Sequence, residues 1–124
     1  PDHVDGISLL PSVYGNDPIG NRIFHGEIGN EAQRHHCLTD GQFKYMWFRL
    51  GGREYLFDLE NDPQELNNLI ADEALVRPWR TRLLEILEAR QDNAAHEGEL
   101  VPTPHEPTPV EVRRAIDPFG RRPY

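Results

Sequence analysis

The chain has 124 residues, a formal charge of −8 from 21 acidic and 13 basic side chains, and 37% hydrophobic residues. That length supports one domain with a modest core. The scattered basic residues exclude the basic stripe of a nucleic-acid binder, and no run approaches the roughly 20 apolar residues of a membrane helix, so neither nucleic acid nor a membrane is an expected partner.

Residues 1–22 read as loop with an apolar patch at Ile7, Leu9 and Leu10, and Gly15-Asn16-Asp17-Pro18 is a turn cluster. Arg22 to Ile28 reads as a short strand and Gln33 to Thr39 as a second. Phe43 to Leu50 and Arg53 to Leu59 read as a hairpin around a Gly51-Gly52 turn. With those glycines as the two-residue loop, Arg49 opposes Glu54, Phe48 opposes Tyr55 and Trp47 opposes Leu56. One hairpin face then carries Met46, Phe48, Leu50, Tyr55 and Phe57, and the other Phe43, Tyr45, Trp47 and Leu56. A sheet with one wet face alternates apolar and polar residues. This one is apolar on both faces, so both need cover.

Asn61-Asp62-Pro63-Gln64-Glu65 has the pattern of a helix start, with Asp62 as N-cap and Pro63 at the first position, for a short helix ending near Ile70. Residues 75–91 read as the longest helix, with Trp79, Leu83, Ile86, Leu87 and Arg90 on one stripe. Pro78 places its regular start between Leu75 and Arg77. The stripe is expected to cover the face of Met46, Phe48 and Phe57, leaving the face of Phe43, Tyr45, Trp47 and Leu56 for something else. Residues 98–124 hold six prolines and read as an extended tail that drapes over the body or is loose. The domain reading is therefore 1–97 for the folded unit and 98–124 for a Pro-rich extension.

Six histidines invite a metal reading, but the spacing gives no helical H-x-x-x-H pair and no second cysteine. His35 and His36 are neighbours on a strand and point to opposite faces. The same alternation separates Cys37 from His36 and weakens a Cys-His nucleophile. No metal ligand and no catalytic residue is assigned. The cluster with most chemical interest is His25-Gly26-Glu27, taken with Arg34, His35 and Lys44. Imidazole, guanidinium and ammonium groups suit an oxyanion such as sulfate, although solvated polar groups at a strand end explain the same residues. Cys37 is the single cysteine, which leaves the redox compartment open.

These segments resemble the formylglycine-dependent sulfatases, of the alkaline phosphatase superfamily. Asp5-Gly6-Ile7-Ser8-Leu9-Leu10-Pro11 resembles the entry to their C-terminal subdomain, and His25-Gly26-Glu27 a short motif of bacterial arylsulfatase-like members. The run from Thr39 to Phe48 resembles their "DG-x-x-KY-x-W" strand. The run from Leu56 to Leu69 is similar to "LFDL-x-x-DP-x-E-x-x-NL", the most specific of the four. The matches fall in family order over residues 5–90.

The resemblance implies an α+β fold: a small antiparallel sheet of about four strands, a long helix packed on one face, and the other side leaning on a large catalytic domain. It implies calcium and a formylglycine in that domain and none here, because Cys37 is followed by Leu38-Thr39-Asp40-Gly41 and not by the C-x-P-x-R pattern. Beginning at Pro1, the chain is expected to be a C-terminal fragment of a sulfuric ester hydrolase, inactive alone. His25, Glu27, His35 and Lys44 are expected at the rim of the substrate pocket. The expected partners are the catalytic domain or a second copy meeting the exposed sheet face, in the bacterial periplasm or cytoplasm. A stand-alone accessory module and a relative acting on phosphate or phosphonate esters are the competing readings.

Overall fold

The computed structural model describes Tyr14, Gly15, residues 22–31 and residues 33–104. The patch at Ile7, Leu9 and Leu10, the Asp5–Pro11 motif and the tail beyond residue 104 lie outside the described residues. Four strands form one antiparallel sheet in chain order: β1 (Phe24–Ile28), β2 (His35–Thr39), β3 (Phe43–Phe48) and β4 (Arg53–Asp58). One helix follows, α1 (Glu73–Ala89), and then a two-residue hairpin of β5 (Ala95–His96) and β6 (Glu99–Leu100). The α+β architecture expected from the sequence is the one observed.

Local chemistry sets the turns. Between β2 and β3, Asp40 Oδ1 accepts from the amides of Gln42 (2.9 Å) and Phe43 (2.7 Å), and Thr39 Oγ1 accepts from Gly41 N. Gly41 takes φ +98°, a value that favours glycine. The β3–β4 connection is longer than the two-residue turn expected. Phe48 pairs with Arg53, Trp47 with Glu54 and Met46 with Tyr55, so the register slips by two residues and Arg49 leaves the ladder. Arg49 is diverted at both ends of its backbone: its N–H donates to Arg34 O and its carbonyl accepts from Thr103 N. An even slip leaves every side chain on its expected face.

The helix lies on the opposite face from the one expected. Its buried residues Val76, Leu83 and Leu87 form one core with Leu38, Tyr45, Trp47, Leu56 and Ala94, with Trp79 and Ile86 packed against the edge. The covered face is thus that of Tyr45, Trp47 and Leu56. The reason is charge as well as shape. Glu54 shares this face and receives Arg80 of α1 through two hydrogen bonds, 3.0 Å from Nε and 2.7 Å from Nη2, while Tyr45 Oη donates to the same carboxylate at 3.2 Å. The face of Met46, Phe48, Tyr55 and Phe57 carries no helix among the described residues.

The short helix expected over 61–70 is a series of turns. Asp62 does cap, but it accepts from Asn67 N at 2.7 Å across a non-helical loop in which Glu65 has φ +56°. Asp58 takes the amides of Glu60 and Asn61, and Asn68 Oδ1 accepts from both Leu56 N and Ile70 N. Side chains that bond nearby backbone in this way compete with a helical ladder. The helix starts instead at Glu73, two residues before its earliest expected position, because Asp72 is its N-cap and accepts from Ala74 N and Leu75 N.

Residues 98–104 run along the body. Val101 N donates to Ala94 O, Gly51 N donates to Thr103 O, and Leu50 forms a parallel bridge with Thr103. Leu83 is fully buried between helix and sheet. Leu83→Ala is expected to cost about 2–5 kcal/mol in denaturant melting, and a change below about 0.5 kcal/mol would contradict this packing.

Candidate functional site

β1 is one of the two edge strands, and its alternation sends His25 and Glu27 to the helix-covered face. There they meet His36 of β2, which pairs directly with Glu27 in the ladder. His25 Nε2 lies 3.1 Å from His36 Nδ1, and the two rings stack with centroids 5.3 Å apart. Glu27 Oε2 lies 3.8 Å from His36 Nδ1 and accepts from Arg90 Nη1 at 3.1 Å. His36 is fully buried, with Trp47 stacked on it at 5.7 Å, and its Nε2 has no hydrogen-bond partner among the described residues. Arg34 pairs with Asp92 just beyond the helix, and the two charges act on His36 in opposite directions.

The other two expected site residues are elsewhere. His35 points to the opposite face and stacks on Phe48 with centroids 4.9 Å apart. Lys44 occupies that opposite face too, ion-paired with Glu65 and 5.8 Å from the Phe57 ring centre. The structure therefore unites His25 with Glu27, and does not bring His35 or Lys44 to them. It adds His36 and Arg90, which the sequence reading left unassigned. The legible signal for His36 was the strand alternation itself: once β1 and β2 pair, an outward His35 requires an inward His36. Arg90 closes the helical stripe, and only the folded chain shows that it reaches β1.

Electrostatics follow burial. Desolvation pushes the His36 pKa down to about 4, aided by neighbouring His25 and opposed by Glu27. His25 is lowered in the same direction, first by burial and then by Arg90. Cys37, on the open face, is raised by burial, with Lys44 pulling the other way. Cys37 and His36 face opposite sides of the sheet and make no nucleophile pair.

On the open face, a hollow of about 290 Å³ is lined by Gly26, Glu27, Ile28, His35, Cys37 and Met46. A Cβ on Gly26 would meet nothing within 4 Å, so that glycine leaves room rather than relieving strain. Phe24 and Ile28 flank it on the same face, 58% and 65% exposed. The calcium implied by the sequence resemblance seeks an all-oxygen cage. The two-imidazole donor set at β1 does not supply one, and Cys37 lies mid-strand outside the formylglycine pattern.

The described residues form a four-stranded antiparallel sheet backed by one helix, and carry the motifs that resemble those of sulfatases. Over 95 residues, 74% of this chain, the sequence is 34% identical to an arylsulfatase of Clostridium perfringens, in agreement with the sulfatase resemblance of its motifs. It spans about 20% of that relative's length. No family model matches the chain. Its fold is similar to the crystal structure of Ps i-CgsB (TM-score 0.51, 15% identity, 94% of this chain and 24% of that chain). It is equally similar, at 18% identity, to the same protein in complex with k-i-k-neocarrahexaose.

Because His36 is buried and neutral, the unfolded chain binds a proton that the folded chain refuses between pH 6.5 and about 4. Unfolded protein is therefore favoured as pH falls through that window. Chain stability is expected to drop by about 2 kcal/mol between pH 8 and pH 5, in urea melts at each pH. His36→Phe is expected to flatten that part of the profile, and an unchanged slope would remove His36 as its cause.

Proposed function

We propose that this chain completes a sulfuric ester hydrolase: its open sheet face docks on the catalytic domain, and its β1 edge borders the substrate pocket. The observation that carries the reading is the uncovered apolar face. Phe24 and Ile28 lie exposed on it and Met46, Phe48 and Tyr55 half-buried, beside a hollow left by a glycine that had room for a side chain. Monomeric proteins rarely leave such patches open. A catalytic domain fits as occupant because the relative with 34% identity is about five times longer than the matched stretch.

The chemistry of the parent would come from that domain, including the nucleophile and the calcium. This chain supplies positioning. His35 and Lys44 lie on the docking face and would meet the catalytic domain there. His25 and Glu27 lie on the edge strand, where Arg90 and the imidazoles add donors for an anionic ester. Separated from its partner, the chain would be inactive, and the open face would drive two copies together.

Two measurements test this. The purified 124-residue chain is expected to turn over no aryl sulfate above a buffer blank, and turnover would contradict the division of labour. In the whole enzyme, His25→Ala is expected to lower kcat/KM about tenfold while thermal melting stays near wild type, a loss of roughly 1.4 kcal/mol of transition-state binding. Wild-type kinetics in a folded variant would remove His25 from the pocket rim.

A further inference from the structure

We propose that His25, Glu27 and His36 form a binding site for one divalent transition-metal ion, with zinc the best match to the ligand set. The reading departs from the sequence, where no metal spacing is visible, because the ligands come from two strands. His25 and Glu27 are two residues apart on β1 and so share a face, and the β1–β2 register places His36 directly opposite Glu27. One ligand atom from each lies within 4.8 Å of the other two.

The separations suit a small ion. Bonds of about 2.0–2.1 Å in a tetrahedron put neighbouring ligand atoms roughly 3.3 Å apart. The His25 Nε2–His36 Nδ1 and His36 Nδ1–Glu27 Oε2 separations are 3.1 and 3.8 Å. Glu27 is 41% exposed in its side chain and can turn to close the third edge, while buried His36 is held by Trp47. Two imidazoles and a carboxylate favour zinc over calcium or magnesium, which take oxygen ligands. Three protein ligands on a sheet edge leave a fourth position for water or an anion, the arrangement of an open site.

Two features oppose binding and shape the test. Arg90 holds the same Glu27 Oε2 that the ion would use, so a cation must displace it or share the oxygen with it. A metal on Nδ1 also fixes the proton of His36 on Nε2, which is buried with no acceptor among the described residues. Both weaken the site without abolishing it. The first makes a sharp prediction, that removing Arg90 tightens metal binding.

The proposal is independent of the pocket reading, since binding is read with no substrate present. Cobalt(II) and zinc(II) are titrated into the purified protein, following the visible d–d bands of cobalt and the heat of zinc binding. The expected result is one equivalent bound with tetrahedral cobalt bands. Glu27→Gln, which keeps size and removes charge, is expected to weaken zinc at least tenfold, and His25→Ala to erase the bands. Arg90→Ala is expected to tighten zinc about tenfold. Absence of zinc binding in wild type, or the same affinity and bands in Glu27→Gln and His25→Ala, would overturn the proposal. If His25→Ala unfolds, Glu27→Gln and Arg90→Ala decide alone, because both alter exposed side chains.

Discussion

The structure turns on a mismatch: a sheet that is apolar on both faces and, among the described residues, a single helix to cover them. Wherever the helix lands, one face is left, and the fate of that face determines what the chain is for. Glu54 decides the landing. It occupies the Tyr45–Trp47–Leu56 face, where Arg80 reaches it with two donors from α1 and Tyr45 with a third. A half-buried carboxylate with three donors is satisfied only under the helix. Among the described residues the opposite face holds no carboxylate with three such donors. Its charges, Lys44 and Arg53, lie against the Phe57 and Phe48 rings, and Phe24 and Ile28 stay exposed beside them.

The same choice places the candidate site. With α1 on this face, Arg90 at its end meets Glu27, and Asp92 just beyond meets Arg34. Asn93 receives buried Arg49, whose Nη1 also donates to Glu31 O. The loop before β2, the end of β3 and the segment after the helix are tied through that one guanidinium. Edge strand β1 is thus held by polar contacts, while the centre of the sheet is held by burial. An edge fixed by hydrogen bonds and ion pairs, next to open space, suits recognition of a polar partner better than a core does.

Much of this was readable from residues. The period-2 pattern gave four strands and the membership of each hairpin face, since even a two-residue slip of register does not exchange faces. Leu83 and Leu87 announced the buried stripe. The failures have physical causes. Arg49 was paired with Glu54 by proximity in the hairpin, but long-range partners at Glu31, Asn93 and Thr103 took it. Asp62 looked like a helix cap, yet Asp58, Asp62 and Asn68 spent their acceptors on neighbouring amides and kept residues 59–72 in turns. Which face the helix would choose depended on Arg80, twenty-six residues from Glu54 in the chain, and no local pattern carries that information. The union of His25 and Glu27 with His36 and Arg90 was hidden for the same reason, while the motif that marked β1 as chemically interesting was visible at once.

We propose that the face left open by the helix is covered by the catalytic domain of a sulfatase. Cys37 lies in that face, beside the hollow at Gly26 and Met46, and is the single cysteine of the chain. Its alkylation rate, followed by peptide mass spectrometry at alkaline pH where burial no longer suppresses the thiolate, reports the cover directly. The account predicts that Cys37 reacts readily in the separate chain and at least about tenfold more slowly in the whole protein, in line with a loss of roughly 1.4 kcal/mol of access. Equal rates in the two would mean that the open face is not the docking face, and would contradict the account.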